Sequence, residues 1–308
     1  MYSLYSLTHP STGIQRKNWP RDSQHKFVTE TPQEPRLLIT GANGRLGHFL
    51  HAAWAVWPDS PVRPVFAARR KPADLLIDAT RPLPALPVCD TVVALWGKTS
   101  GDANALKANI DLAHATRQVA SACKASRVLH LSSAAVYGPG CDMDETTGPA
   151  PQAPYGDSKL AMETEVSGFS SDPARHVCLR LANVVGADSL APALISDAPV
   201  RLDRFDDGTG PLRSYISPGD LARVLAGLAT LPATDLPDCL NIAAPDPVGM
   251  ASLAHAAGRD IVWQKAPDTA TQTVTMNTAR LAALLPKLRL HRTAADMIAD
   301  WHRLRGAE

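Results

Sequence analysis

The chain has 308 residues, enough to bury a large core in one two-lobed domain or two modest ones. Its 31 basic and 30 acidic side chains nearly cancel, which removes the electrostatic case for a nucleic acid or another polyanion and leaves a small molecule as the expected partner. The five cysteines (Cys89, Cys123, Cys141, Cys178 and Cys239) stand far apart without a CxxC pair, the pattern of reduced thiols in a cytoplasmic protein rather than of a disulfide framework or a metal knuckle.

Residues 1–35 mix Ser, Thr, Pro and Gln with charges, show no periodicity and lack the apolar core of a secretory signal, so a disordered or loosely attached tail is expected. No run of about 18 apolar residues occurs, and no membrane span is expected. Arg36–Thr40 is a short apolar strand that enters Gly41-Ala42-Asn43-Gly44-Arg45-Leu46-Gly47, with a helix expected over Leu46–Trp57. Strand, glycine-rich turn and helix in that order form a dinucleotide-binding arrangement: glycines let the backbone approach a pyrophosphate, and the helix start offers free N–H groups to its charge. Gly41, Asn43, Gly44, Arg45, Leu46 and Gly47 are therefore candidate cofactor contacts. His48 and His51 come nearest to metal-ligand spacing, but they fall on the surface of that helix, and no metal site is expected.

A second strand over Val62–Ala68, interrupted by Pro64, ends in Arg69-Arg70-Lys71. The residue near that strand end reads the adenosine ribose, where an acid favours NAD and an arginine favours the extra phosphate of NADP. No Asp or Glu stands there, so Arg69 and Arg70, helped by Arg45, point to NADP in preference to NAD. Ala73–Ala79 reads as a third strand whose Asp78 is placed to accept a hydrogen bond from the adenine amino group. Thr91–Leu95 is a fourth, apolar throughout as a strand covered on both faces should be. It runs into Trp96-Gly97-Lys98-Thr99, which lacks the upstream glycine spacing of a P-loop and gives no case for ATP. A single long helix is expected over Ala103–Ala125, with Asn109 inside it.

Arg127–Leu131 is the fifth strand and delivers Ser132 and Ser133 to its carboxyl end, where open α/β sheets bind ligands. After a Pro- and Gly-rich loop, Tyr155 starts a helix that continues through Met162 and Val166. Tyr155 and Lys159, four residues apart, share a face, so the ammonium is expected to lower a phenol pKa that is ordinarily about 10. His176–Leu181 is the sixth strand, followed by Asn183 and Gly186. Ser217-Pro218-Gly219-Asp220 has the signature of a helix start, which gives Asp220 a structural role. Cys239–Ile242 reads as a further strand, and Thr293 caps a last amphipathic helix with Met297, Ile298, Trp301 and Leu304 inward.

The segments Thr40–Gly47 and Leu131–Gly138, then Tyr155 and Lys159, stand in one order at fitting distances. Together they resemble the extended short-chain dehydrogenase/reductases, the NAD-dependent epimerase/dehydratase family, over residues 36–242 and more weakly beyond. Glu145 with Pro154, Arg180–Gly186, and Arg213-Ser214-Tyr215-Ile216 ahead of Asp220 match as well. The resemblance implies an α/β fold, a Rossmann-type doubly wound parallel sheet with a smaller C-terminal substrate-binding lobe. Residues 36–186 would form the dinucleotide-binding domain with 216–245 returning to it, and 187–215 with 246–308 the small lobe.

It further implies Tyr155 as the general acid/base of a hydride transfer, and Lys159 on the nicotinamide ribose as well as beside the phenol. Ser133, rather than Ser132, would orient the substrate oxygen. Asn183 would lie near the substrate, Arg213 would meet a phosphate or carboxylate, and two helices per subunit would build a homodimer. The chain departs from the family's dehydratases, which carry an Asp-Glu pair where Ala134 and Ala135 stand. The expectation is an NAD(P)-dependent oxidoreductase acting at a secondary alcohol or ketone of a sugar, sugar derivative or similar small substrate. An NAD-dependent sugar or nucleotide-sugar epimerase is one alternative. A non-catalytic dinucleotide sensor or scaffold is another, against which the intact Ser133, Tyr155 and Lys159 set speaks.

Overall fold

Leu37, Leu38 and Ile39 have zero exposure, so the strand that carries them, β1 (Arg36–Thr40), needs cover on both faces. The computed structural model describes residues 34–306, and nearly all of the expected tail lies outside the described residues. After β1 come α1 (Arg45–Ala55), β2 (Arg63–Ala68), the two-residue β3 (Leu75–Leu76), β4 (Thr91–Ala94), α2 (Ala103–Leu106), α3 (Ala108–Cys123) and β5 (Arg127–Leu131). Next are β6 (Gly140–Met143), α4 (Pro154–Ser167), β7 (Arg175–Leu181), β8 (Asn183–Val184), α5 (Ala191–Ile195), β9 (Val200–Arg204), β10 (Leu212–Arg213) and β11 (Tyr215–Ile216). The chain closes with α6 (Pro218–Thr230), β12 (Cys239–Ile242), β13 (Val248–Gly249), α7 (Met250–Ala256), β14 (Ile261–Lys265), β15 (Thr273–Met276), α8 (Ala279–Leu284) and α9 (Ala294–Arg305).

Seven strands pair in parallel in the order β12-β7-β5-β4-β1-β2-β3. Because side chains alternate along a strand, Leu37 and Ile39 enter the cluster built with α1, α6 and α9, whereas Leu38 enters the one that holds Val119 of α3. The sheet is thus doubly wound, and its order reverses at β1, which opens a crevice between the carboxyl ends of β1 and β4. β8 continues from the carboxyl end of β7, so the smaller sheets (β13-β10-β15-β6, β11-β8 and β14-β9) begin at the end of the sheet where that crevice lies.

Two expectations are corrected. The third strand is two residues long: Leu75 and Leu76 pair with Ala67 and Ala68 of β2, and the chain turns at Asp78. This also explains why Pro64 is tolerated inside β2: the edge it faces is unpaired at that point. The single helix expected over Ala103–Ala125 divides into α2, capped by Asp102 accepting from the Ala105 amide, and α3. The helix start at Ser217 holds: its hydroxyl accepts from the Asp220 amide, and Asp220, with zero exposure, takes the His291 amide at 2.7 Å.

Thr293 caps α9 as expected, and Met297, Ile298, Trp301 and Leu304 are all buried. Trp301, 1% exposed, lays its indole against Gly186, leaving no room for a β-carbon there. Replacing it empties a large volume between α9 and the loop after β8. Trp301→Ala is expected to lower the free energy of unfolding by about 3–5 kcal/mol, measured by urea denaturation; a loss under about 1 kcal/mol would show that α9 is not anchored there.

Candidate active site

At the end of β1, Gly41 has φ 70°, and a β-carbon added to it would stand 2.6 Å from the Trp96 amide nitrogen. Only glycine lets the ends of β1 and β4 come this close. Gly44 stands at the cap position of α1 with no side-chain hydrogen bond, and the first turn holds no acid. The amides at this helix start are therefore free of side-chain partners and suited to an anion. Gly47 is pressed onto the backbone of Ala42, whose Cα a β-carbon would approach to 2.7 Å, and Leu46 packs on the apolar cluster behind. Asn43 donates to the Arg70 carbonyl at 2.8 Å and ties the glycine turn to the end of β2. This cradle fits the pyrophosphate of a dinucleotide.

Arg69 and Arg70 are both exposed just beyond β2. Arg45 does not join them. Its guanidinium donates to the Ala187 carbonyl in the loop after β8 at 2.8 Å. Asp78 accepts from the Thr80 amide at 3.0 Å and the Thr80 hydroxyl at 2.8 Å. Those bonds hold its carboxyl below the usual range and commit one oxygen to its own turn.

Tyr155 enters α4 directly after Pro154 and is half-buried. Burial pushes its phenol above the ordinary value, and the Ser133 hydroxyl opposes the rise. Ser133 caps the turn after β5, its hydroxyl accepting from the Ala135 amide at 3.2 Å. Lys159, 5% exposed, donates to the Leu131 carbonyl at 2.7 Å. Burial lowers its ammonium to about 8, with Cys178 and Glu163 opposing. Ser133 opposes the effect of burial on Tyr155, while the desolvated Lys159 ammonium donates to the strand-end carbonyl of Leu131.

Asn109 is the residue the sequence placed only as part of a helix. It is 1% exposed, accepts from the Lys98 amide at 2.9 Å and donates to the Lys98 carbonyl at 3.1 Å and the Ser158 hydroxyl at 3.0 Å. It joins the loop after β4 to α4. A polar residue in the middle of an Ala-rich helix was its one signal.

Asn183 and Arg213 come together in a cavity of about 310 Å³ that Asp188, Arg201, Asp203 and Tyr215 also line. Arg213 does not stand free for a phosphate or carboxylate. It donates to the carbonyls of Leu212 at 2.8 Å, Gln272 at 2.6 Å and Thr271 at 2.7 Å, which cross-links β10 to the segment before β15. Burial raises the Asp188 carboxyl, and the Tyr215 hydroxyl donates to it at 3.0 Å. Among the described residues no cluster of His, Cys, Asp or Glu is arranged to hold a metal, and no helix is long and apolar enough to cross a membrane.

A doubly wound parallel sheet with an uncapped, glycine-lined helix start at its switch point places the chain among Rossmann-type dinucleotide-binding proteins. Within that class, a model of the NAD dependent epimerase/dehydratase family matches residues 37–243, and the chain belongs to this family. Solved structures share the fold: MoeE5 in complex with UDP-glucuronic acid and NAD is 20% identical over 89% of this chain and 100% of its own, with a TM-score of 0.71. TunA, an NAD-dependent NDP-hexosamine 5,6-dehydratase involved in tunicamycin biosynthesis, is 18% identical over 88% and 98%, with a TM-score of 0.71. UDP-glucuronic acid 4-epimerase from Bacillus cereus, in complex with UDP-glucuronic acid and NAD, is 16% identical over 89% and 100%, with a TM-score of 0.68. No curated protein matches.

The contact of Gly47 with Ala42 tests the cradle. Gly47→Ala forces the turn apart, a strain of about 1–3 kcal/mol, and is expected to weaken dinucleotide binding at least about tenfold in a fluorescence titration. Unchanged affinity would remove the turn from the binding site.

Proposed function

We propose that the protein is an NAD(P)-dependent oxidoreductase that transfers hydride at a secondary alcohol or ketone carbon of a sugar, sugar derivative or similar small substrate, with Tyr155 as general acid/base. The observation that carries this reading is the half-buried Tyr155 at the start of α4, where Gly156 is pressed onto the Ala135 carbonyl of the turn that Ser133 caps, one helical turn before the buried Lys159. When bound, the nicotinamide gives hydride to a carbonyl carbon or takes it from an alcohol carbon. Tyr155 Oη gives its proton to the substrate oxygen in reduction and takes one in oxidation. Ser133 Oγ orients that oxygen. A phenol, ordinarily titrating at about 10, is protonated at neutral pH, the form that reduction needs, and burial shifts it in the same direction. Lys159 holds the nicotinamide ribose, and Ala134 and Ala135 leave no extra acid and base for dehydration.

Gly41, Asn43, Gly44, Leu46 and Gly47 hold the pyrophosphate in this reading, and Arg69 and Arg70, exposed with no acid between them, take the phosphate of NADP in preference to the free hydroxyl of NAD. The charges of the 310 Å³ cavity favour a substrate without a pyrophosphate. Arg213 is committed to carbonyls, and exposed Arg201 shares the space with Asp188 and Asp203. Asn183 then meets substrate hydroxyls. A homodimer through two helices per subunit and a cytoplasmic location belong to the same reading. The second reading, an epimerase that retains NAD through its cycle, is favoured by the NAD found in MoeE5 and in the UDP-glucuronic acid 4-epimerase.

Mass spectrometry of nucleotide retained through purification, followed by fluorescence titration with NADPH and NADH, separates the two. Release of the cofactor with tighter NADPH binding is expected; tightly held NAD would overturn the cofactor preference and promote the epimerase. Arg69→Ala combined with Arg70→Ala should weaken NADPH by about tenfold or more, each charged hydrogen bond being worth about 1.5–3 kcal/mol, and leave NADH unchanged. In assays of NADPH oxidation against free sugars and keto-sugars, Tyr155→Phe should cost about 10²- to 10⁴-fold in turnover with cofactor affinity intact. Full activity in that variant would show that the base lies elsewhere.

A further inference from the structure

Tyr155, Lys159 and Glu163 follow one another at four-residue spacing on α4 and so share one face of that helix. The first two have roles in the reading above. Glu163 has none, although its side chain is only 9% exposed, and a buried carboxylate requires partners. Oε1 accepts from the Ser132 hydroxyl at 2.5 Å, a bond in the short, charge-assisted range. Arg180 grips the same carboxylate, from Nη2 to Oε2 at 2.8 Å and from Nε to the two oxygens at 3.1 and 3.2 Å. The guanidinium lies over the Tyr137 ring, 4.6 Å from its centre, and the Tyr137 hydroxyl donates to Asn241 Oδ1 at 2.8 Å. Glu163 is therefore held rigidly from β7 and, through Tyr137, from β12.

Ser132 is the residue next to Ser133. On the far side of the same turn, the Ala135 carbonyl rests on Gly156, where a β-carbon would come to 2.5 Å from the oxygen. Ser133 in turn accepts from the Ala135 amide at 3.2 Å. The turn after β5 is thus pinned to α4 at two points, Ser132 on Glu163 and Ala135 on Gly156. Ser133 lies between them. We propose that Glu163, acting through Ser132, is the positioning residue that fixes the Ser133 hydroxyl against Tyr155. This rests on the roles given above to Ser133 and Tyr155. A Glu163 that served only as partner of Arg180 would support stability and leave the Ser133–Tyr155 contact alone.

The test needs no substrate. The full chain is labelled with carbon-13 at tyrosine Cζ, and the Tyr155 resonance is identified by its loss in Tyr155→Phe. Ser133→Ala supplies the position of a phenol without its serine partner. Ser132→Ala and Glu163→Gln are each expected to move the Tyr155 resonance most of the way to that position, and Ser132→Thr, which keeps the hydroxyl, to leave it in place. The double variant should move it no further than the larger single change, because the two groups act as one unit. Ser132→Ala keeps the Glu163–Arg180 pair, so it carries the test even where Glu163→Gln does not fold. A resonance that stays at the wild-type position in Ser132→Ala while moving in Ser133→Ala overturns the proposal. One that ignores Ser133→Ala also overturns it, since Ser133 then does not touch the phenol. Neither result bears on Tyr155 as the base, which is decided by turnover in Tyr155→Phe.

Discussion

The seat of Lys159 is the interaction on which the rest of the site depends. A cation with 5% exposure is costly to bury, and it is kept by the Leu131 carbonyl at the end of β5. That bond, with Ser132 on Glu163 and Ala135 on Gly156, fixes α4 against the sheet. With α4 so placed, Ser158 meets Asn109, Glu163 meets Ser132, and Gly156 meets Ala135 beside Tyr155. The loop after β4 closes over the ammonium at Gly97, where a β-carbon would stand 3.4 Å from Nζ. A parallel sheet covered on both faces leaves its strand ends as the place for polar chemistry, and in this chain the polar face of one helix is lowered onto them.

Legibility from sequence followed the range of the interactions. Strand β1, its glycine turn and α1 were legible because each step is local: apolar residues make the strand, glycines permit the turn, and the helix begins within a few residues. The caps at Ser217 and Thr293 were legible for the same reason, and so was the inward stripe of α9, whose period is a property of the helix itself. β3 was overread because a strand is as long as its neighbour's free edge, and that edge is set by Pro64 and by the turn at Asp78.

The arginines show where such reading stops. Arg45 by its charge and Arg213 by the family resemblance are expected on a ligand's phosphate or carboxylate, yet both donate to main-chain carbonyls, at Ala187 and at Leu212, Thr271 and Gln272. A main-chain carbonyl leaves no trace in the side-chain sequence, so neither partner is predictable. Glu163 and Asn109 were passed over for a related reason. A glutamate or an asparagine on a helix is ordinarily solvated, and what sets these two apart is burial against strand ends, which appears only when the layers are assembled.

The open start of α1 has a consequence beyond recognition. A helix whose first amides have no side-chain partner is an unfinished piece of secondary structure, and its completion is left to whatever anion sits there. Such an anion binds the native chain and not the unfolded one, so occupancy adds to the free energy of folding by mass action. On the proposed reading the dinucleotide pool then governs the lifetime of the protein as well as its work: a cell rich in cofactor protects the chain from unfolding and proteolysis, and a depleted one lets it turn over.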